Sequence, residues 1–85
     1  MRKGIVMRLD KYLKVSRIIK RRTIANEACD AGRVTVNEKV ARASYDVKIG
    51  DKVQIEFGTR TLKFKVVSVT EAVRKEDAAL MYELL

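Results

Sequence analysis

The sequence predicts an α+β domain in which two N-terminal helices pack on a small, mostly antiparallel sheet, with a further helix at the C-terminus. Apolar residues recur at helical spacing up to Gly32, after which they occupy every second position. Helical spacing returns at Lys75. Because 85 residues with 47% hydrophobic side chains can bury one small core, we expect a single domain over residues 1–85.

The first helix is predicted over residues 7–15. Leu9, Tyr12 and Leu13 follow the i, i+3, i+4 spacing of a buried stripe, and basic residues fall between them. The outer face of this helix is therefore cationic. Asp10 lies in the first turn, where a carboxylate is favoured by the helix dipole, or where it can orient a neighbouring arginine. The sequence leaves both roles open.

The second helix is predicted over residues 21–31, after a connector at residues 16–20. Its apolar stripe consists of Ile24, Ala25, Ala28 and Cys29. Gly32 ends the helix, because glycine reaches the left-handed C-cap conformation without steric cost. A free cysteine on such a stripe is more often a small buried hydrophobe than a nucleophile, so we expect Cys29 to be buried.

Period-two alternation after Gly32 predicts the strands. Their apolar positions are Val34, Val36 and Val40, then Tyr45, Val47 and Ile49, then Val53, Ile55 and Phe57, then Leu62, Phe64 and Val66. Turns are predicted at residues 37–39, at Gly50-Asp51 and at residues 58–60. A tight turn centred on Asn37-Glu38 would hold Glu38 at positive φ at a cost of about 1 kcal/mol, and a longer turn is the alternative.

The chain is predicted to finish with a strand and a helix within residues 61–85. Ala78, Met81, Tyr82 and Leu85 stand at i, i+3, i+4 and i+7, which is helical spacing. We expect this C-terminal helix to pack on the sheet or on the first helix.

The net charge of +8 is concentrated at one end of the chain. Residues 1–22 hold nine basic side chains and one acidic side chain, whereas the ten basic and ten acidic residues of 23–85 cancel. A charged run is often only a solvated face. Here, the self-repulsion of cations that nothing else neutralises favours an external polyanion as partner.

The composition argues against catalysis and against a metal site. There is no histidine, no glycine-rich phosphate loop and only one cysteine, so we expect no enzyme activity, cofactor, metal or disulfide. Carboxylates distant in sequence, such as Asp46 and Asp51, could still meet in the fold. No apolar run approaches the roughly 20 residues of a membrane span, and we expect a cytoplasmic protein.

Four spaced motifs carry the functional signal. They are Arg8-Leu9-Asp10-Lys11-Tyr12-Leu13, Ser16-Arg17, Lys20-Arg21-Arg22-Thr23 and Gly32-Arg33-Val34-Thr35-Val36-Asn37. Cations on rigid helices, and the free N–H groups that begin the second helix, suit the fixed phosphates of structured RNA. A single-strand reader would expose aromatics, yet Tyr12, Phe57 and Phe64 lie on predicted core faces. These motifs, over most of residues 7–57, resemble the S-four RNA-binding domain, also called the alpha-L motif.

The resemblance implies a fold and a task. The short length and the C-terminal ending resemble the family members that act in ribosome-associated quality control, and the fifteen-kilodalton heat-shock proteins are related. Such members bind a large ribosomal subunit obstructed by peptidyl-tRNA. With a partner protein that recruits alanyl-tRNA, they support template-free addition of C-terminal alanines. We expect a monomer that binds ribosomal RNA of the large subunit and peptidyl-tRNA, and neither DNA nor membrane.

The resemblance and the charge pattern together give the candidate RNA-binding residues. They are Arg8, Lys11, Lys14, Arg17, Lys20, Arg21, Arg22, Thr23, Arg33 and Lys39, with Arg33 and Lys39 the weaker candidates. Asp10 is the candidate that orients an arginine. The resemblance begins at Met7, so Arg2 and Lys3 count less as RNA ligands.

Several other functions share some of these features. A DNA-binding helix-turn-helix is disfavoured because its recognition helix should display base-reading side chains, whereas this second helix carries Asn26, Glu27 and Asp30. The same motifs fit a generic ribosomal or transfer RNA binder and a ribosome-recycling heat-shock factor. They also fit a module detached from a larger enzyme, such as a pseudouridine synthase or a tyrosyl-tRNA synthetase. A membrane-surface role for the first helix is weak because its narrow apolar stripe is committed to the core.

Overall fold

The computed structural model describes residues 7–69 and 75–85, and it confirms the α+β class with two N-terminal helices beside an antiparallel sheet. The basic residues Arg2 and Lys3 lie outside the described residues. In chain order the elements are β1 (Met7–Arg8), α1 (Leu9–Val15), α2 (Arg22–Asp30), β2 (Val34–Val36), β3 (Lys39–Val40), β4 (Asp46–Val47), β5 (Lys52–Phe57), β6 (Arg60–Val66), a 3-10 helix (Lys75–Met81) and β7 (Tyr82–Leu84).

The sheet has five antiparallel strands in the order β3-β2-β5-β6-β7. The hairpins β2-β3 and β5-β6 form as the alternation predicted, and they lie side by side because β2 pairs with β5. A separate two-residue ladder joins β1 to β4, with Met7 opposite Val47. This ladder replaces the predicted start of the first helix at Met7, because the backbone there pairs with a distant segment.

The end of α2 shows why the helix stops where the sequence predicted. Gly32 has φ of 78°, in the left-handed region. Its N–H donates to the Cys29 carbonyl at 3.0 Å, and the N–H of Arg33 donates to the Ala28 carbonyl at 3.0 Å. This pair of bonds is a Schellman motif, which satisfies two carbonyls that the helix itself leaves unpaired.

The core lies between the two helices and one face of the sheet. The ring of Tyr12 on α1 stacks against Phe64 on β6 with centroids 6.3 Å apart, and Phe64 meets Tyr82 edge-on at 5.5 Å. Cys29 is buried as predicted, and burial is the main cause that raises the pKa of its thiol to about 12. The thiol therefore stays protonated at neutral pH.

The predicted C-terminal helix is present, but it is shorter than expected and is of the 3-10 type. A 3-10 helix covers Lys75–Met81, and the chain then forms β7, whose Tyr82 pairs with Val66. The open edge of β6 offers a row of backbone groups that a strand can satisfy. The Tyr12 hydroxyl donates to the Met81 carbonyl at 2.7 Å and holds the residue at which the 3-10 helix ends and β7 begins. The segment thus packs on both the sheet and α1.

Five residues of the predicted apolar stripes and strand faces are exposed instead. Ile24 is 48% exposed, Val40 65%, Ile49 70%, Phe57 42% and Leu85 63%. Only Ala25 and Cys29 of α2 are buried, and Ile24 lies on a flank of the helix that is only partly covered. Ile49 precedes the turn at Gly50, where the predicted strand of residues 45–49 shortens to β4. Phe57 is the last residue of β5 and is only partly covered.

The first hairpin turn is tight. Val36 faces Lys39, so the turn consists of Asn37 and Glu38, with φ of 53° and 70°. Lys39, predicted in the turn, begins β3. The Asn37 side chain anchors the turn, because its Oδ1 accepts from the N–H of Lys52 at 3.1 Å and its Nδ2 donates to Asp51 at 3.2 Å.

Candidate nucleic-acid interface

The basic residues that the sequence singled out follow the surface from β1 to the start of α2. Arg8 ends β1, Lys11 and Lys14 lie on α1, Arg17 and Lys20 lie in the connector, Arg21 is the N-cap of α2, and Arg22 and Thr23 begin that helix. All are exposed except Lys11, which is partly buried. Arg21 makes no side-chain capping bond.

Asp10 forms the centre of this surface. It is 1% exposed, and its carboxylate joins β1, α1 and α2. The Arg8 Nε donates to Oδ1 at 3.2 Å, and the Arg22 Nε lies 3.4 Å from Oδ2. The Asn26 Nδ2 donates to Oδ2 at 3.2 Å, and the N–H of Lys11 donates to Oδ1 at 2.7 Å. We call Asp10, Arg8, Arg22 and Asn26 the Asp10 cluster.

The Asp10 cluster keeps the carboxylate ionised. Burial alone would raise the pKa of Asp10. The hydrogen bonds from Asn26, Arg22 and the Lys11 backbone, with the charge of Arg22, outweigh burial and hold the pKa below its ordinary value of 3.8. A fixed negative charge therefore faces the two arginines throughout the neutral range.

The two arginines are held but not enclosed. Their side chains are 48% and 47% exposed for Arg8 and Arg22, while the Asp10 side chain between them is 2% exposed. Each guanidinium has five N–H donors in a planar fork, of which Asp10 engages one or two. The remaining donors face solvent in a restrained orientation, which suits a phosphate or a base edge.

Arg17 occupies a strained backbone position. Its φ is 64°, and its N–H donates to the Lys14 carbonyl at 3.0 Å to close the end of α1. Glycine is the usual residue at such a C-terminal position, and another residue costs about 1 kcal/mol. Within the described residues, the exposed cations Lys14, Arg17, Lys20 and Arg21 form no ion pair.

Arg33 and Lys39 are not part of the Asp10 cluster. Arg33 follows the C-terminal end of α2, and the nine residues of that helix, about 13 Å long, separate it from the end that carries Arg22. Lys39 lies on β3 at the edge of the sheet. These two weaker candidates are exposed, but they belong to other parts of the surface.

Sequence reasoning missed Asn26 as a member of the site. It was read only as part of the body of the second helix, yet it stands four residues after Arg22, which places both on one helix face. That spacing was the available signal. The contact of Asn26 with Asp10 could not be predicted from the sequence of α2, because Asp10 lies on another helix.

Asp46 and Asp51, the distant carboxylates considered above, do not form a cluster with other metal-capable side chains within the described residues. Asp51 accepts hydrogen bonds from the Asn37 amide, the Tyr45 hydroxyl and the Lys48 N–H. Among residues 7–69 and 75–85 no three metal-capable side chains come together. No helix in those ranges has the length and apolar character required to cross a bilayer.

The family follows from comparison with known proteins. The S4 domain model matches residues 7–53, which include β1, both helices and the hairpin β2-β3. The chain belongs to the S4 domain family. The resemblance to the S-four RNA-binding domain is therefore confirmed.

Relatives of this S4 domain span most of its length. The RQC P-site tRNA stabilizing factor of Streptococcus pneumoniae is 56% identical over 79 residues, with 93% of this chain and 90% of that protein covered. The factor of the same name from Halalkalibacterium halodurans is 54% identical over 78 residues, covering 92% and 89%. The trimeric structure of heat shock protein 15 from Vibrio cholerae superposes with a TM-score of 0.88 at 26% identity, covering 95% of this chain and 83% of that chain.

Proposed function

We propose that this S4 domain is a non-enzymatic protein that binds the RNA of large ribosomal subunits obstructed by peptidyl-tRNA. The observation that carries the proposal is the Asp10 cluster, in which one buried carboxylate restrains two half-exposed guanidinium groups. Arg8, Arg22 and the neighbouring cations then form one surface, to which Lys11, Lys14, Arg17, Lys20, Arg21 and Thr23 belong. Asp10 acts as the orienting residue.

Structured RNA is the polyanion that this surface suits best. Phosphates on a folded RNA have fixed positions, and arginines restrained by a buried carboxylate lose less conformational entropy when they bind. The nine basic side chains of residues 1–22 supply the attraction. The exposed face of α2 carries Glu27 and Asp30, which would oppose its insertion into a DNA groove.

The names of the relatives support a specific site of action. Two relatives at 56% and 54% identity are called RQC P-site tRNA stabilizing factors. We infer that this chain holds P-site tRNA on the large subunit in ribosome-associated quality control. There it would act in the cytoplasm as a monomer, beside a partner protein that recruits alanyl-tRNA during C-terminal alanine addition.

Sedimentation with ribosomal subunits tests the proposal. Wild type is expected to travel with large subunits in a sucrose gradient of cell lysate, and the double variant Arg17→Ala, Arg22→Ala is expected to remain near the top. The matched control is Lys63→Ala, Lys65→Ala, which removes the same charge from exposed positions on β6. The control should sediment like wild type. Equal loss by both double variants would show that net charge, rather than this surface, causes the association.

The salt dependence of binding separates phosphate contacts from other effects. Purified large-subunit RNA serves as the probe. Replacing Arg22 with alanine is expected to lower the slope of log affinity against log salt by about one unit, because one fewer counterion is released. Lys63→Ala should leave the slope unchanged. Wild type that binds no RNA at low salt would contradict the proposal.

A further inference from the structure

A small groove lies beside α2, on the flank away from the Asp10 cluster. It has a volume of about 260 Å³. Ile19, Ile24 and Phe57 form much of its apolar wall, and Glu27, Arg33 and Glu56 carry its polar groups. The wall includes two of the residues that the sequence assigned to the core and that the structure leaves half-exposed, Ile24 and Phe57.

One end of the groove wall directly adjoins basic residues along the chain. On α2, Arg22 and Asn26 lie on one side of the buried residues Ala25 and Cys29, and Ile24 lies on the other side. The chain crosses between the two sides at the connector. There Lys20 and Arg21 directly follow Ile19 of the groove wall. RNA held on the basic surface can thus reach the groove around the start of α2.

The groove combines an unpartnered aromatic face with cations. Phe57 is 42% exposed and takes part in neither aromatic pair of the described residues. Arg60 stands opposite Phe57 across the β5-β6 ladder, and Arg33 lines the groove. Within the described residues neither arginine forms an ion pair. An aromatic face flanked by free arginines is the usual arrangement for stacking a base and holding its phosphates.

The carboxylates and the size of the groove narrow the choice of occupant. Glu27 and Glu56 would repel a phosphate, but they can accept hydrogen bonds from the exocyclic amino groups of a base. A volume of about 260 Å³ lies below the roughly 300–1,000 Å³ of pockets for drug-sized ligands. One planar ring system fits this space better than a helix or a peptide segment of a partner protein.

We propose that this groove binds one unpaired nucleobase of the bound RNA, stacked on Phe57 and flanked by Arg33 and Arg60. The inference rests on the proposed RNA-binding function and adds to it a preference for RNA with an extruded base. The Asp10 cluster would supply affinity for the phosphate backbone, and the groove would distinguish paired from unpaired positions.

The test compares two RNA hairpins of the same length, one fully paired in its stem and one with a single bulged nucleotide. Wild type is expected to bind the bulged hairpin more tightly. Phe57→Leu, which keeps an apolar side chain without a π face, should reduce that preference by about fivefold or more, the lower range for loss of one base–aromatic stack. Phe57→Trp should retain the preference. The matched control, Val40→Ala, alters another exposed apolar side chain on β3 and should bind like wild type.

A second measurement uses the unmodified protein and so does not depend on the stability of a variant. Addition of the bulged hairpin should shift the NMR signals of the Phe57 ring and the Ile24 methyl groups through ring currents, and the paired hairpin should not. Equal binding of both hairpins by wild type, with unshifted signals, would overturn the nucleobase groove and leave RNA binding intact.

Two other outcomes have distinct meanings. If wild type binds neither hairpin nor large-subunit RNA at low salt, the proposed function itself fails. If Phe57→Leu binds both hairpins like wild type but no longer sediments with large subunits, the groove contacts a protein and the nucleobase proposal is overturned.

Discussion

Asp10 and Asp51 are both buried carboxylates, 1% and 8% exposed, but their partners differ in charge. Asp10 accepts from two guanidinium groups as well as from uncharged donors. Within the described part of the chain, Asp51 accepts only from uncharged donors, namely the Asn37 amide at 3.2 Å, the Tyr45 hydroxyl at 2.9 Å and the Lys48 N–H at 2.9 Å. Each carboxylate holds distant segments together at the cost of its own desolvation.

The difference in donors gives the two carboxylates different roles. Asp10 organises a binding surface, and Asp51 links segments of the fold. At Asp10 the negative charge restrains cations whose other donors reach solvent. At Asp51 the hydrogen bonds join the first hairpin turn to the loop that precedes β5. The Tyr45 carbonyl of that loop accepts from the Leu9 N–H at 2.8 Å, so the loop also holds the start of α1. Burial and the acceptor Asp51 raise the pKa of the Tyr45 hydroxyl, which remains the donor.

The largest difference between the two regions is expected when each aspartate is replaced by asparagine, which removes the charge and keeps the shape of the side chain. Asp10→Asn should lower the free energy of unfolding at pH 7 by about 2–3 kcal/mol, because charge-assisted hydrogen bonds are lost and Arg8 and Arg22 then repel each other. Asp51→Asn should lower it by about 1–2 kcal/mol, since only uncharged donors are affected. Urea unfolding measures both. RNA affinity should fall for Asp10→Asn alone, and an equal fall for both variants would contradict the division of roles.

The pH dependence of stability should also depend on Asp10. Its pKa is lower in the folded state than the ordinary value of 3.8, so the unfolded chain takes up the proton first as the pH falls. The stabilisation is fully present above the unfolded pKa and is lost as the pH falls through the folded pKa. Between pH 5 and pH 2 the gap in unfolding free energy between wild type and Asp10→Asn should therefore narrow as the pH falls. A constant gap in urea titrations at several pH values would contradict this linkage.

Each region also contains a non-glycine residue at positive φ. Arg17 is at 64° beside the Asp10 cluster, and Glu38 is at 70° next to the Asp51 partner Asn37. Glycine at either position should raise the free energy of unfolding by about 1 kcal/mol by relieving the left-handed strain. Arg17→Gly should also weaken RNA binding, whereas Glu38→Gly should lose no affinity. Thermal unfolding measures the stability of each variant, and RNA titration measures its affinity. If Arg17→Gly binds RNA as tightly as wild type, Arg17 is not part of the RNA-binding surface.

The smallest effect is expected in the reactivity of Cys29, which reports on the Asp10 side of the molecule. Burial, and then the charge of Asp10, raise the pKa of its thiol. Iodoacetamide should label native Cys29 far more slowly than the urea-unfolded chain. Asp10→Asn should accelerate native labelling by about threefold or more through easier local opening, and Asp51→Asn should accelerate it less. Faster labelling in Asp51→Asn than in Asp10→Asn would show that local opening around Cys29 depends more on the hydrogen bonds of Asp51.

The helices were predictable because their signals are local. The spacing of Leu9, Tyr12 and Leu13 and the glycine after α2 act within a few residues, and the structure places α1 and α2 within two residues of the expected ends. The hairpins followed from alternation for the same reason. The C-terminal segment was mistaken because Ala78 and Met81, three residues apart, fit a 3-10 helix as well as an α-helix.

The sequence predicted which basic residues belong to the candidate site, but it did not predict how they are arranged. The concentration of basic residues before α2 is a property of the sequence, and the pairing of Asp10 with an arginine was one of two open roles. The contact between Asp10 and Asn26 joins two helices, and no spacing along the chain reports it. The partial exposure of Phe57 likewise depends on how α2 packs beside the end of β5.

By itself, the sequence determined the period of each helix and hairpin, the glycine that ends α2 and the excess of positive charge in the first 22 residues. These depend on interactions between residues close together in the chain. The tertiary structure alone decided that β1 pairs with β4, that the last residues complete the sheet and that Asp10 meets Arg22 and Asn26. Such contacts depend on which distant surfaces are left uncovered once the local elements have formed, because burial and hydrogen bonding are satisfied across the whole fold.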